Sequence, residues 1–227
     1  MLVLASGGWT SGPDMMALIS SMGVPQHWND LGWKTRLVEL RDGKDGLDDA
    51  VAWFDLTRSQ TPGPVCVWGG SSGGNLALLL GSRRPVDCVV TEAAPTRLAT
   101  ITDANSLFAH TLIESTFAPA DLPAFSPADL PVRVPVLMGY FTDDLVVPYE
   151  QGPLFDASHP DAKVVTLRPA TDLDPRCDSV LRGANQCSFI THAEPGGKEI
   201  AISTMLTWRA CEALLPSAPS NPLCLGR

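Results

Sequence analysis

Basic residues are scarce in this chain. Sixteen lysines and arginines face 25 aspartates and glutamates, for a formal net charge of −9. No basic cluster occurs, and Arg83–Arg84 is an isolated pair at a predicted helix end, where cations suit the helix dipole. Nucleic acid is therefore excluded as a partner. No apolar run approaches the roughly 18 residues of a membrane span; Leu76–Leu80 is among the longest. No Cys-x-x-Cys spacing is present, so no zinc site of the usual type is expected. No Gly-Lys-Ser/Thr follows a glycine-rich turn, which excludes a Walker loop. Histidine is rare as well, with four in 227 residues, so each can be weighed by position.

What is present is globular. The chain is 44% hydrophobic and 18% charged, and is long enough to bury a large core. Short apolar runs alternate with longer stretches of helical spacing. That alternation predicts an α/β fold, a mostly parallel sheet with helices on both faces, in a single domain over 1–227. Strands are expected at 1–6, 36–40, 64–68, 86–91, 134–140 and 163–167. Helices are expected at 14–26, 46–58, from 72 onward, near 104–115, at 149–158 and at 198–215. Residues 171–192 read as a long irregular loop.

The six cysteines divide by context. Cys177 and Cys187 lie in a polar loop, and Cys211 and Cys224 bracket a Pro/Ser-rich tail. Both pairs read as disulfides, which points to an exported protein. Cys66 and Cys88 sit in apolar strand-like runs and read as free buried thiols. No leader is visible ahead of the first strand.

The sharpest motif is Trp68-Gly69-Gly70-Ser71-Ser72-Gly73-Gly74-Asn75-Leu76, which contains Gly70-x-Ser72-x-Gly74 between a strand and a helix. A nucleophilic serine needs this context. The sharp turn projects the hydroxyl above the sheet, and glycines on either side avoid collisions with neighbouring backbone. Ser72 is the expected nucleophile.

With this motif the chain resembles the α/β-hydrolase superfamily. It is similar to esterases of the hormone-sensitive-lipase and feruloyl or acetyl-xylan type, to cutinase-like polyester hydrolases, and to the catalytic domains of prolyl-oligopeptidase-like peptidases. The resemblance runs from Leu2 to about Leu215. It implies a minimal version of the fold, lacking the family's first strands and with little or no lid in 95–131. It implies an acid after a late strand, shortly before Val147-Pro148. Asp144 fits that place, with Asp143 as the neighbouring alternative. It implies a base between the last strand and the last helix, where His192 lies. His27 ends a helix, His110 follows the wrong strand and His159 lies at the wrong edge of the sheet. The order Ser, Asp, His is that of the family. It further implies an oxyanion hole from the backbone N–H of Gly73 and of Gly8 or Trp9, in Ser6-Gly7-Gly8-Trp9; the histidine that esterases carry ahead of these glycines is missing.

These features imply a carboxylic ester hydrolase acting through an acyl-enzyme, on bulky, aromatic or polymeric esters, as a secreted monomer without cofactor or metal. Trp9 and Phe141 are candidates for apolar contacts to substrate, or for core packing. Asp172, Asp174 and Asp178 form an acidic loop group that reads as solvated rather than as a Ca²⁺ site. Two other readings remain open: a prolyl-oligopeptidase-like peptidase and an inactive hydrolase fold used for binding.

Overall fold

The computed structural model describes residues 1–21, 23–30, 32–141, 144 and 146–167. His192, Asp143, the acidic group at 172–178 and the cysteines at 177, 187, 211 and 224 lie outside the described residues, as do the side chains of His27 and Phe141.

Six strands form one sheet: β1 (Leu2–Ala5), β2 (Arg36–Glu39), β3 (Cys66–Gly70), β4 (Cys88–Glu92), β5 (Val136–Phe141) and β6 (Lys163–Leu167). Their order is β2-β1-β3-β4-β5-β6 and every pairing is parallel. A central parallel strand is covered on both faces and must be apolar throughout. Leu2, Val3, Leu4 and Ala5 of β1 are accordingly all fully buried. Their side chains alternate between two cores. Leu2 and Leu4 pack with Leu47 and Phe54 of α3 (Asp45–Gln60), Leu76–Leu80 of α4 (Ser72–Arg83) and Phe155 of α6 (Gln151–Ser158). Val3 and Ala5 pack with Ile19 of α1 (Pro13–Ser21) and Trp28 of α2 (Val24–Asp30). The helices thus cover both faces, as expected.

The chain runs from β1 outward to β2, returns to β3 on the other side of β1, and then steps outward to β6. Strand order reverses between β1 and β3. In open parallel sheets this switch point, at the carboxyl ends of the strands, is where ligands bind.

Three local features differ from the sequence reading. The helix expected at 14–26 is two helices, because Gly23 takes φ +76° between them and its N–H caps Ser20 O at 2.9 Å. The helix α5 (Asp103–Thr116) is broken at Ser106, whose φ of −167° and ψ of 90° are not helical. Ser106 Oγ accepts the N–H of Ala109 at 3.3 Å, so it caps the second segment. Finally, Cys66 and Cys88, expected as free thiols, are joined in a disulfide. They are register partners on β3 and β4, with Cα atoms 4.6 Å apart, on the same face of the sheet. Parallel register brought them together, and register is not written in either strand alone.

Candidate active site

The loops following β1, β3, β4 and β5 share one edge of the sheet. Among the described residues, the non-glycine residues with left-handed φ are Trp9 (57°), Ser71 (51°) and Ala93 (47°). They follow β1, β3 and β4 respectively, so all three lie at that carboxyl edge. Such conformations cost on the order of 1–3 kcal/mol each and persist where surrounding structure enforces them, commonly at functional sites.

The sharpest of these turns joins β3 to α4. The run Gly69–Gly74 carries two overlapping Gly-x-Ser-x-Gly frames, one centred on Ser71 and one on Ser72. The backbone takes the first. Ser71 has φ 51° and ψ −125°, stands between the last residue of β3 and the first of α4, and is nearly buried. Ser72 lies within the first turn of the helix, is fully buried, and shares a hydrogen bond of 3.0 Å with Ser6 Oγ. The glycines fit this frame. A Cβ on Gly69 would overlap the backbone of Gly73. A Cβ on Gly73 would sit 2.9 Å from Leu4 O and 3.2 Å from Ser6 O. A Cβ on Gly74 would sit 2.8 Å from Ala94 Cβ and 2.9 Å from Gly69 O. Ser71 itself donates its N–H to Glu92 O at 2.8 Å and accepts the Asn75 N–H at 3.1 Å.

The loop after β1 faces this turn. Gly7 and Thr10 exchange two backbone hydrogen bonds of 3.0 Å, and the central residues Gly8 and Trp9 have φ 58° and 57°. This is the two-residue turn with both central residues left-handed. The Trp9 side chain settles its own alternatives. It is buried, packs edge-on against Phe117 with centroids 5.2 Å apart, and donates from Nε1 to Asn75 Oδ1 at 3.4 Å. It belongs to the core. Gly8 is covered by Leu112 of α5, whose Cδ1 would sit 3.1 Å from a Cβ there, and Gly7 by Met15, whose Cε would sit at 2.6 Å. Gly73 is a contact between α4 and the β1 loop, and the residue that directly follows Ser71 is Ser72.

Asp144 follows β5 at the same edge. Its Oδ1 accepts the N–H groups of Val146 and Val147, both at 2.8 Å, which holds the carboxylate in a tight turn. Tyr140, near the end of β5, is fully buried and donates its hydroxyl to Ala94 O at 2.7 Å. Burial pushes that phenol well above its ordinary range, with the charge of Asp144 as a second cause.

Two buried amides, which composition and periodicity did not single out, tie these loops together. Asn75 Nδ2 donates to Pro95 O at 2.9 Å and to Phe125 O at 3.0 Å, while its Oδ1 receives Trp9. Gln151 binds the segment after β4. A polar residue directly ahead of the Leu-rich stretch Leu76–Leu80 was the available signal for Asn75, since a buried amide must find partners. Gln151 carried no comparable mark.

His159 lies far from this edge, as expected. It stacks on Phe155 with centroids 4.1 Å apart and its Nε2 is 2.7 Å from Leu130 O. It borders a hollow of about 850 Å³ with Leu130, Arg133 and Val136, at the amino edge of β5. Among the described residues no cluster suited to a metal ion occurs.

No family model and no curated protein matches the sequence. Solved structures do match. A carbohydrate esterase from gut microbiota, in truncated form, superposes with TM-score 0.62 at 18% identity over 74% of this chain and 75% of that one. An acetyl ester-xyloside bifunctional hydrolase from Caldicellulosiruptor lactoaceticus gives 0.58 at 21%, over 74% and 70%. A hormone-sensitive lipase from a metagenome library gives 0.58 at 14%, over 74% and 67%. The fold is the α/β-hydrolase fold. The strand-to-helix turn at the switch point of this sheet is centred on Ser71.

Proposed function

We propose that this α/β-hydrolase cleaves carboxylic esters through a triad of Ser71, Asp144 and His192. The observation that carries the reading is the strained backbone of Ser71, held at the switch point by glycines whose missing Cβ atoms leave room for the turn. We place the nucleophile at Ser71 rather than at Ser72, because Ser72 is fully buried in the first turn of α4 with its hydroxyl hydrogen-bonded to Ser6 Oγ.

Ser71 Oγ attacks the ester carbonyl carbon while its proton passes to His192. The carbonyl oxygen takes the negative charge, and donors preorganised toward it stabilise that charge. With Ser71 as nucleophile, the following backbone N–H is that of Ser72, and the second donor comes from the Gly7–Trp9 turn. Collapse breaks the C–O bond to the alcohol, whose oxygen takes the proton from His192. Water then attacks the acyl-enzyme, giving its proton to His192, and Ser71 recovers a proton as the acid leaves. Asp144 accepts the imidazole N–H and stabilises the imidazolium. His192 lies outside the described residues, and its role rests on chain order.

Leu112 and Met15 pack against the turn at Gly7 and Gly8, which favours a short acyl group. Two of the similar structures act on acetyl esters or carbohydrate esters by name, in keeping with that choice. The Cys66–Cys88 disulfide supports an oxidising, extracytoplasmic location.

The test is hydrolysis of p-nitrophenyl acetate by wild type, Ser71→Ala and Ser72→Ala, with fluorophosphonate labelling and peptide mapping. Ser71→Ala is expected to lose about 10³-fold or more in kcat and to escape labelling. Ser72→Ala is expected to keep activity within about 10-fold, the scale of one lost neutral hydrogen bond. Label on Ser72 would reverse the assignment. Full turnover by Ser71→Ala would end the reading.

A further inference from the structure

We propose that Gln151 is the residue that positions the acid turn, an assignment that rests on the reading of Asp144 as the triad acid. Gln151 opens α6 and is 1% exposed. Its Oε1 accepts two backbone hydrogen bonds, from Thr96 N–H at 2.9 Å and Arg97 N–H at 2.8 Å, and lies 3.2 Å from Thr96 Oγ1. Its Nε2 donates to Thr100 Oγ1 at 2.9 Å. Its backbone carbonyl accepts from Thr96 Oγ1 at 2.6 Å, and its backbone N–H donates to Pro148 O at 3.0 Å. The last of these bonds closes the turn over residues 148–151, which directly follows the Asp144–Val147 turn.

The segment that Gln151 grips is itself fixed to the nucleophile helix. Asn75 of α4 holds Pro95 O, and Gly74 lies where a Cβ would meet Ala94. A continuous chain therefore runs from the helix behind Ser71, through residues 94–97, through the Gln151 amide, to Pro148 and back to Asp144. The links are hydrogen bonds, the close packing of Gly74 on Ala94, and the peptide bond that joins Pro148 to Val147, whose N–H is held by Asp144.

The amide is chemically specific. Oε1 must accept from backbone N–H groups, and Nε2 must donate. Thr100 Oγ1 already donates to Arg97 O at 2.7 Å, so it presents a lone pair to Gln151. A glutamate would place a buried carboxylate against that lone pair. Displacement of a catalytic group by about 1 Å costs on the order of 10²-fold in rate, so the chain of bonds has something to protect.

The experiment is a kinetic double-mutant cycle on the full chain. Gln151→Met is measured in the wild-type and Asp144→Asn backgrounds, with p-nitrophenyl acetate and with folding followed by circular dichroism. In the wild-type background kcat is expected to fall about 30-fold or more with KM within about two-fold. In the Asp144→Asn background the same change is expected to lower kcat by less than about three-fold, because a misplaced acid cannot be lost twice. Equal losses in both backgrounds would show a purely structural amide and overturn the proposal. Unchanged kcat in folded Gln151→Met would do the same. If Gln151→Met does not fold, Thr96→Val, which removes only the hydroxyl bonds to Gln151, carries the same cycle with the same criteria. If Asp144→Asn alone leaves kcat untouched, the triad reading fails, and the inference with it, in a way no Gln151 result imitates.

Discussion

At the end of β3 the turn through Ser71 is enforced by atoms that are absent; at the end of β5 the turn through Asp144 is enforced by hydrogen bonds that are present. Around Ser71 the constraint is backbone against backbone: Gly69 against Gly73, Gly73 against Leu4 and Ser6, Gly74 against Gly69. None of these can move without moving the sheet. Around Asp144 the constraint is polar, from Val146, Val147 and the Gln151 network. Steric enforcement fails all at once, since interiors are packed and do not deform continuously. Polar enforcement fails by degrees, one bond at a time. The Ser71 turn should therefore tolerate almost no substitution, and the Asp144 turn should show graded loss.

The largest break is expected from Gly69→Ala. The added methyl collides with main chain rather than with a flexible side chain. The change should cost about 4 kcal/mol or more, the range reserved for severe core strain. Chemical denaturation of the purified variant, or its failure to accumulate as soluble protein, checks this. A Gly69→Ala variant as stable as wild type would refute the steric account of the elbow.

Next in size is Asn75→Leu, which keeps shape and removes the amide. It strands Pro95 O, Phe125 O and Trp9 Nε1 in a fully buried place. At about 1–3 kcal/mol for each unsatisfied group, partly recovered by relaxation, a loss near 3 kcal/mol is expected. For a chain of this size that lowers Tm by roughly 6–12 °C. A shift under 2 °C would mean that water or movement satisfies these groups and that the amide is no hub.

Much of this architecture was legible in the sequence. The inner strands β1 and β3 read as apolar runs because a central parallel strand is buried on both faces, whereas the edge strand β2, Arg36–Glu39, is mostly half-buried and charged at both ends. The glycines of the elbow were equally plain. The frame was not: Gly69–Gly74 satisfies the motif at Ser71 and at Ser72, and the two differ in backbone φ, helix position and hydrogen bonding, none of which the sequence displays. The Cys66–Cys88 bond depends on the register of two strands that are 22 residues apart. Gln151 looked like an ordinary residue after Val-Pro, since its partners at 96, 97 and 100 are remote in the chain. Contacts fixed by local sterics leave a local signature, and contacts fixed by tertiary register do not.

A smaller effect separates Tyr140 from its surroundings. Tyr140→Phe removes the bond to Ala94 O and should cost about 1–2 kcal/mol at pH 8. The phenol is raised above its ordinary value of 10.0 by burial. The folded chain therefore keeps the proton where the unfolded chain releases it. Its stabilising share is full below about pH 10 and declines as pH rises past that point. Wild type should lose stability more steeply than Tyr140→Phe above pH 10, so the gap between them narrows. A constant gap from pH 8 to pH 11 would show that the hydroxyl is not held neutral by burial.

The smallest expected effect sharpens the comparison at the β1 turn, where the proposed reading places the acyl group. Leu112 reaches over Gly8 from the capped second segment of α5, which Ser106 starts. Leu112→Ala leaves the elbow, the acid turn and their bonds untouched, so kcat on p-nitrophenyl acetate should stay within about two-fold. The space opened can take two or three further methylenes, each worth up to about 0.8 kcal/mol on burial. Incomplete burial beside a half-exposed helix reduces that gain, so kcat/KM for hexanoate relative to acetate should rise about 5- to 10-fold. The ratio is read from initial rates across an acetate-to-octanoate series for wild type and variant. An unchanged ratio with unchanged acetate kinetics would place the acyl chain elsewhere and leave Leu112 as a packing contact for the β1 turn. A uniform fall across the series would instead mean that Leu112 holds the oxyanion loop in place, making that loop as dependent on side chains as the acid turn is.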